Sequence, residues 1–213
     1  MSNLDKMCKS KILITTIIKT WEIYMIHGAR SSKKVDYFHS RIKSELETLF
    51  TSDNGYKIEL EYNISSTNSS GKKKCDIVIL KFGKPYIIFP VKIIMSNYKQ
   101  NKNNAWENLT GEVSHIKWKN PHIYIIPINI FMNKTVYLKN NKMINKFEHI
   151  NYLDIQIYSQ LVNNGLCFDI INYIIDVQHI CNINQPFSKV PTVSSFNQLT
   201  PFRTFYEILT KII

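Results

Sequence analysis

Two nearly continuous apolar runs, separated by a turn-sized break, constrain the fold of this chain more than any other feature. From Cys75 the sequence reads CDIVILKF, then GK, then PYIIFPVKII. Each run has strand length and is rich in β-branched residues. Neither alternates between apolar and polar, so each predicts a central strand buried on both faces. GK between them predicts a tight turn and hence a hairpin. Such strands need helices on both sides of the sheet, so the runs already imply a layered α/β protein.

The flanking segments supply those layers. Met1 to about Gly28 has apolar residues at roughly helical spacing (Ile12, Ile14, Ile17, Ile18, Trp21, Ile23, Met25), which predicts a helix on the core. Val35, Phe38, Ile42, Leu46, Leu49 and Phe50 form one face of a second helix, with Ser32 as its N-cap. TSDNG breaks the chain, and YKIELEYNIS alternates Ile58, Leu60 and Tyr62 with polar residues as a strand with one wet face. STNSSGKKK predicts a polar loop with a basic end.

After the two runs, SNYKQNKNNAWENLTGEVSHIKWK is polar and then helical, with Trp106, Leu109, Val113 and Ile116 on one face. PHIYIIPINIF predicts another buried strand. NKMINKFEHI predicts a helix, Phe168–Ile180 a further helix, and RTFYEILTKII a terminal one after a proline-punctuated stretch. The predicted order is α-α-β-β-β-α-β-α-α in one domain spanning residues 1–213.

Charge narrows the partners. Lys+Arg 27 against Asp+Glu 16 leaves a net charge of +11, which attracts nucleic acid, anionic membrane or acidic proteins. A coding bias towards Lys, Asn and Ile accounts for the same excess without a partner. Apolar residues at 44% and charged ones at 20% place the chain among globular proteins and outside the disordered class. Cys8, Cys75, Cys167 and Cys181 have no C-x-x-C spacing, which argues against zinc and for a reducing, intracellular setting such as the cytoplasm. The opening MSNLDKMCKSKILITTIIKTW has lysines where a signal peptide needs an apolar stretch, and no apolar run reaches membrane-spanning length. The six histidines are scattered, so a His-based metal nuclease is not expected. There is no phosphate-binding glycine loop, and no Ser-His-Asp or Cys-His set stands out.

The order helix, three-strand meander, helix, strand, with Asp76 opening the second strand and Lys92 in the third, resembles the core of the PD-(D/E)XK nuclease superfamily, which includes most type II restriction endonucleases. The resemblance covers about Val35 to Phe131. It implies a restriction-endonuclease-like core with a central mixed sheet flanked by helices. It also implies Mg2+, or Mn2+ in its place, held by Asp76, and Lys92 as the catalytic lysine. The chemistry requires no more than this. Phosphodiester hydrolysis needs a hard cation to neutralise developing charge and lower the pKa of a bound water, and Mg2+ is content with one or two carboxylates plus waters. Residues two apart on a strand share a face, so position 90 and Lys92 point together.

The family places a second carboxylate at position 90, where this chain has Pro90. Three readings stand side by side. The metal acid has moved to the following helix, where Glu107 and Glu112 lie 15 and 20 residues past Lys92. Or catalysis is lost and a binding module remains. Or Pro90 simply inactivates an otherwise intact site. Glu45 and Glu47 on the second predicted helix are candidate accessory acids, against the plainer reading of a solvated helix face. Lys72, Lys73 and Lys74, ahead of Asp76, are candidates for backbone phosphates. Lys99, Gln100 and Lys102 are candidates for phosphates or base edges. For both groups, solvation or helix capping is the competing account. The expected protein is a Mg2+-dependent endonuclease on duplex DNA, without membrane association. A homodimer is expected because cutting both strands of a palindrome calls for two-fold symmetry. Residues 133–213 would then be available for dimerisation or target recognition. The rival is a catalytically inactive nuclease-fold DNA-binding or structural protein.

Overall fold

A computed structural model describes residues 2–139 and 142–212. Met1 and Ile213, the first residue of one predicted helix and the last of another, and Asn141, in a third, lie outside the described residues. The chain is a mixed α/β protein. Its elements are α1 (Asn3–His27), α2 (Lys33–Glu47), β1 (Tyr56–Ser65), β2 (Lys72–Lys81), β3 (Lys84–Phe89), β4 (Val91–Ser96), α3 (Tyr98–Lys119), β5 (Tyr124–Ile125), β6 (Ile128–Leu138), β7 (Ile144–His149), α4 (Tyr152–Gln156), α5 (Ser159–Asn163), β8 (Ile171–Gln178), β9 (Thr192–Phe196) and α6 (Phe205–Leu209).

Local signals set the helix ends. Ser2 and Asp5 exchange capping hydrogen bonds at the start of α1, and Gly28, at φ +83°, ends it by donating its N–H to the Tyr24 carbonyl. Phe38, Ile42 and Leu46 bury the expected face of α2. The strands β1, β2 and β3 form an antiparallel meander. The β2–β3 turn uses Phe82 and Gly83, both left-handed, rather than the expected Gly-Lys pair. β3 then runs parallel to β5, and β4 parallel to β6, with α3 as the crossover. Beyond β6 lie β8 in parallel and β9 antiparallel, and β7 pairs antiparallel with β6.

The apolar runs are explained by their alternation between two cores. Ile77, Ile79, Ile87, Phe89, Ile128 and Ile130 face a cluster that includes residues of α1, α2 and α6. Val78, Leu80, Ile88 and Phe131 face the opposite cluster, with residues of α3, α4 and α5. Burying both faces leaves no polar positions, hence the unbroken hydrophobicity.

Four expectations are corrected. First, Tyr86–Ile94 is not one strand. It breaks at Pro90 into β3 and β4, because proline has no N–H for the ladder. Second, Phe168–Ile180 holds no helix. Ile171–Gln178 is β8, whose short apolar run has no period that separates a buried strand from a buried helix. Third, the predicted helix over NKMINKFEHI is instead β7, because hairpin pairing with β6 overrides the helical spacing of Ile144, Phe147 and Ile150. Fourth, the polar stretch carrying Lys99, Gln100 and Lys102 is the first turn of α3, and Lys72–Lys74 extend β2 rather than ending a loop. The terminal helix is shorter than expected, covering only Phe205–Leu209 among the described residues.

Candidate active site

The break at Pro90 builds the site. The last β2–β3 pair is Ile77 with Phe89, so one further step of that register would set Asp76 opposite Pro90. β4 instead leaves β2 and, among the described residues, pairs with β6 alone. The Val91 N–H is left facing the gap, and Asp76 Oδ2 accepts it at 2.7 Å. A strand N–H points within the sheet plane, so this bond holds the Asp76 carboxylate in the fork between the diverging strands.

On the α2 side, the pairs Leu60–Ile77 and Tyr62–Cys75 place Glu61 opposite Asp76. Glu61 adopts φ +53°, a left-handed conformation that is strained for a non-glycine residue inside a strand. Its Oε2 lies 2.9 Å from Lys74 Nζ, and its Oε1 3.7 Å from His39 Nδ1. His39 comes from the apolar face of α2 and is 2% exposed. Among the described residues its Nε2 has no hydrogen-bond partner. Burial pushes the imidazole below its ordinary pKa, while Asp76 and Glu61 draw it upwards. One ligand atom from each of His39, Glu61 and Asp76 lies within 4.8 Å of the others.

On the α3 side, Lys92 Nζ lies 3.9 Å and Lys73 Nζ 3.4 Å from Glu112 Oε2. Glu112 is 9% exposed. Burial pushes its carboxyl above the ordinary range, Lys92 and Lys73 pull it down, and the charge of Asp76 pushes it up. A cleft here is lined by Ser66, Asn68, Lys73, Lys92, Glu107 and Glu112, with Glu107 exposed on its wall. Asp76 and Lys92 make no ion pair within 4.0 Å among the described residues, yet both act electrostatically on His39 and on Glu112.

The structure thus gathers Asp76, Lys92, Lys73, Lys74 and Glu112 around the fork, with Pro90 as the residue that opens it. Lys72, Lys99 and Gln100 are exposed. Lys102 is tied to Asp154 at 2.8 Å. Glu45 pairs with Lys9, and Glu47 with Lys43, so neither faces the fork. The helix reaches the fork through His39 instead. Sequence reasoning missed His39 and Glu61. A histidine inside the apolar stripe of α2 reads as core, and Glu61 reads as the wet face of β1 until hairpin register sets it against Asp76.

A divalent cation fits this donor set. It would find two carboxylates facing each other across a strand pair, where like charges otherwise repel, and a buried imidazole whose Nδ1 stands 3.7 Å from Glu61 Oε1. Among the described residues no helix is long and apolar enough to cross a membrane. Compared with known proteins, the chain matches no family model, no curated protein and no solved structure.

Proposed function

We propose that the protein is a divalent-metal-dependent endonuclease of restriction type, cutting phosphodiester bonds of duplex DNA from a restriction-endonuclease-like core. The observation that carries this reading is Asp76, pinned by Val91 at a strand fork with two further ligand-bearing side chains within 4.8 Å. The antiparallel β1-β2-β3 meander, the α3 crossover and the parallel β5/β6 line supply the scaffold.

Asp76, with His39 and Glu61 beside it, would hold a divalent cation, Mg2+ or Mn2+, and such a cation would supply charge neutralisation at a phosphate and a lowered pKa for a bound water. Lys92 reaches into the cleft beside Glu112, where its ammonium can orient that water and steady a phosphate oxygen. Glu112 draws the ammonium groups of Lys92 and Lys73 to the cleft that all three line. Exposed Lys72, Lys99 and Gln100 suit contacts to the DNA backbone, and the net charge of +11 draws the duplex in. Two-fold symmetry of a palindromic target fits a homodimer, with residues 133–213 for assembly or target reading.

Pro90 favours a second reading, a nuclease-fold DNA-binding protein without catalysis, because the position cannot ligate metal. Plasmid nicking in Mg2+ or Mn2+ decides between them. Cleavage that disappears in Asp76→Asn and Lys92→Ala is expected. Plasmid left intact by the natural protein and by Pro90→Glu, in both metals, leaves only the binding protein.

A further inference from the structure

We propose that His39, Glu61 and Asp76 together bind one divalent transition-metal cation, Mn2+ or Co2+, in preference to Mg2+. The inference deepens the nuclease reading by naming its cation class and ligands, and it is testable by metal binding alone.

Three features of the fold converge on this cation. His39 is 98% removed from solvent, its Nε2 makes no hydrogen bond among the described residues, and its Nδ1 stands 3.7 Å from Glu61 Oε1, beyond hydrogen-bond reach. A buried polar group without a partner is destabilising.

The second feature is the pairing of Glu61 with Asp76. Like charges directly opposite on neighbouring strands destabilise a sheet, and the left-handed backbone of Glu61 adds strain. Lys74 answers one oxygen of Glu61 and leaves Oε1 on the His39 side. No hydrogen bond is made to Asp76 Oδ1 among the described residues, since Val91 takes Oδ2. A cation among the three groups gives each of them a partner at once.

The third feature is reach. Ligand atoms about 2.1 Å from one cation lie roughly 3–4 Å apart, so separations within 4.8 Å close by small side-chain rotations. Three protein ligands leave positions for water or a phosphate oxygen. The imidazole decides the metal. Oxygen-only sets suit Mg2+, whereas one nitrogen donor shifts preference towards the later first-row cations.

The test is titration of the chelator-stripped full chain with Co2+, read by visible absorption, and with Mn2+, read by the loss of free-ion paramagnetic signal. Mg2+ is the competitor. One equivalent of Co2+ is expected, displaced by Mg2+ only at a large excess. Loss of an outer partner alone costs about 10–100-fold in affinity, so His39→Ala and Glu61→Gln are each expected to weaken Co2+ at least tenfold. Glu61 is exposed, so Glu61→Gln decides the matter if His39→Ala fails to fold. Equal affinity for Mg2+ and Co2+, or Co2+ affinity unchanged in Glu61→Gln, overturns the proposal. Co2+ binding that needs Glu61, with plasmid intact in every metal, supports the site and ends the nuclease reading. Mg2+-driven cleavage with no Co2+ site does the reverse.

Discussion

The Asp76 carboxylate accepts the Val91 backbone N–H at 2.7 Å across the gap that Pro90 opens between β2 and β4. This one bond ties the carboxylate of a residue on an internal strand to the backbone of β4. It restores an acceptor to an N–H that the interrupted ladder abandons, and it fixes where the acid's other oxygen can reach.

Asp76 therefore has two separable roles. Asp76→Asn keeps an oxygen for Val91, while Asp76→Ala leaves a largely buried N–H unpaired, at about 1–3 kcal/mol. Both substitutions remove the repulsion with Glu61, so their difference isolates the Val91 bond. In chelator, Asp76→Ala is expected to melt several degrees below Asp76→Asn, at roughly 2–4 °C per kcal/mol for a chain of this length. Equal melting temperatures would mean that water satisfies Val91 as well as the acid does.

Pro90→Glu tests the fork from the other strand. Position 90 is buried and lies two residues before Lys92, with Phe89 and Val91 turned to the opposite core. A carboxylate there is expected to lower the melting temperature in chelator, because an unpaired buried charge is costly. Added Mg2+ is expected to raise it by more than in the natural protein, since a ligand that binds only the folded state stabilises it, and Mg2+-dependent cleavage should rise in parallel. A variant whose melting ignores Mg2+ would remove position 90 from the metal's surroundings.

Glu112 predicts a pH dependence. Its folded pKa is raised above the ordinary 4.5, mainly by burial. A raised carboxyl contributes stability that is fully present below pH 4.5 and is lost as pH rises through the folded value. Glu112→Gln removes the buried charge. It is expected to melt above the natural protein at neutral pH, with the gap closing as pH falls through the folded value and levelling off below 4.5. A gap that is constant with pH would assign the effect to packing.

The lysines divide into solvated and engaged sets, and salt separates them. Lys72→Ala and Lys99→Ala are each expected to reduce the slope of log affinity for DNA against log salt by about 1. Lys102 is different, because its ammonium meets Asp154, whose side chain is 5% exposed. Lys102→Ala is expected to cost about 1 kcal/mol of stability, its own exposure softening the loss. Gel-shift series across salt and thermal melts read the two effects independently.

Much of this architecture was legible in the chain. The runs CDIVILKF and PYIIFPVKII specify strands buried on both faces, and the strict alternation of Ile77, Val78, Ile79 and Leu80 between two cores is what such runs mean. The stripe Phe38, Ile42, Leu46 and the segment from Trp106 to Ile116 specify helices, because helical periodicity is a local property. Where pairing competes with period, local reading fails. Ile144–His149 and Ile171–Gln178 are strands because each pairs with β6, the first across a short hairpin and the second from far along the chain, and periodicity announces neither pairing.

The site divides along the same line. Asp76, Lys92 and the anomaly at Pro90 stand in one short stretch and were visible together. His39 lies 37 residues before Asp76 in the chain, and only the packing of α2 on the sheet brings it to the fork. Glu61 faces Asp76 by the register of the β1–β2 hairpin, which its long loop leaves open. Sequence by itself determined which residues are apolar, how they repeat and where the ladder must break. Only the tertiary structure decided which charges meet at that break, because side-chain encounters depend on register and helix docking, both set by contacts between distant parts of the chain.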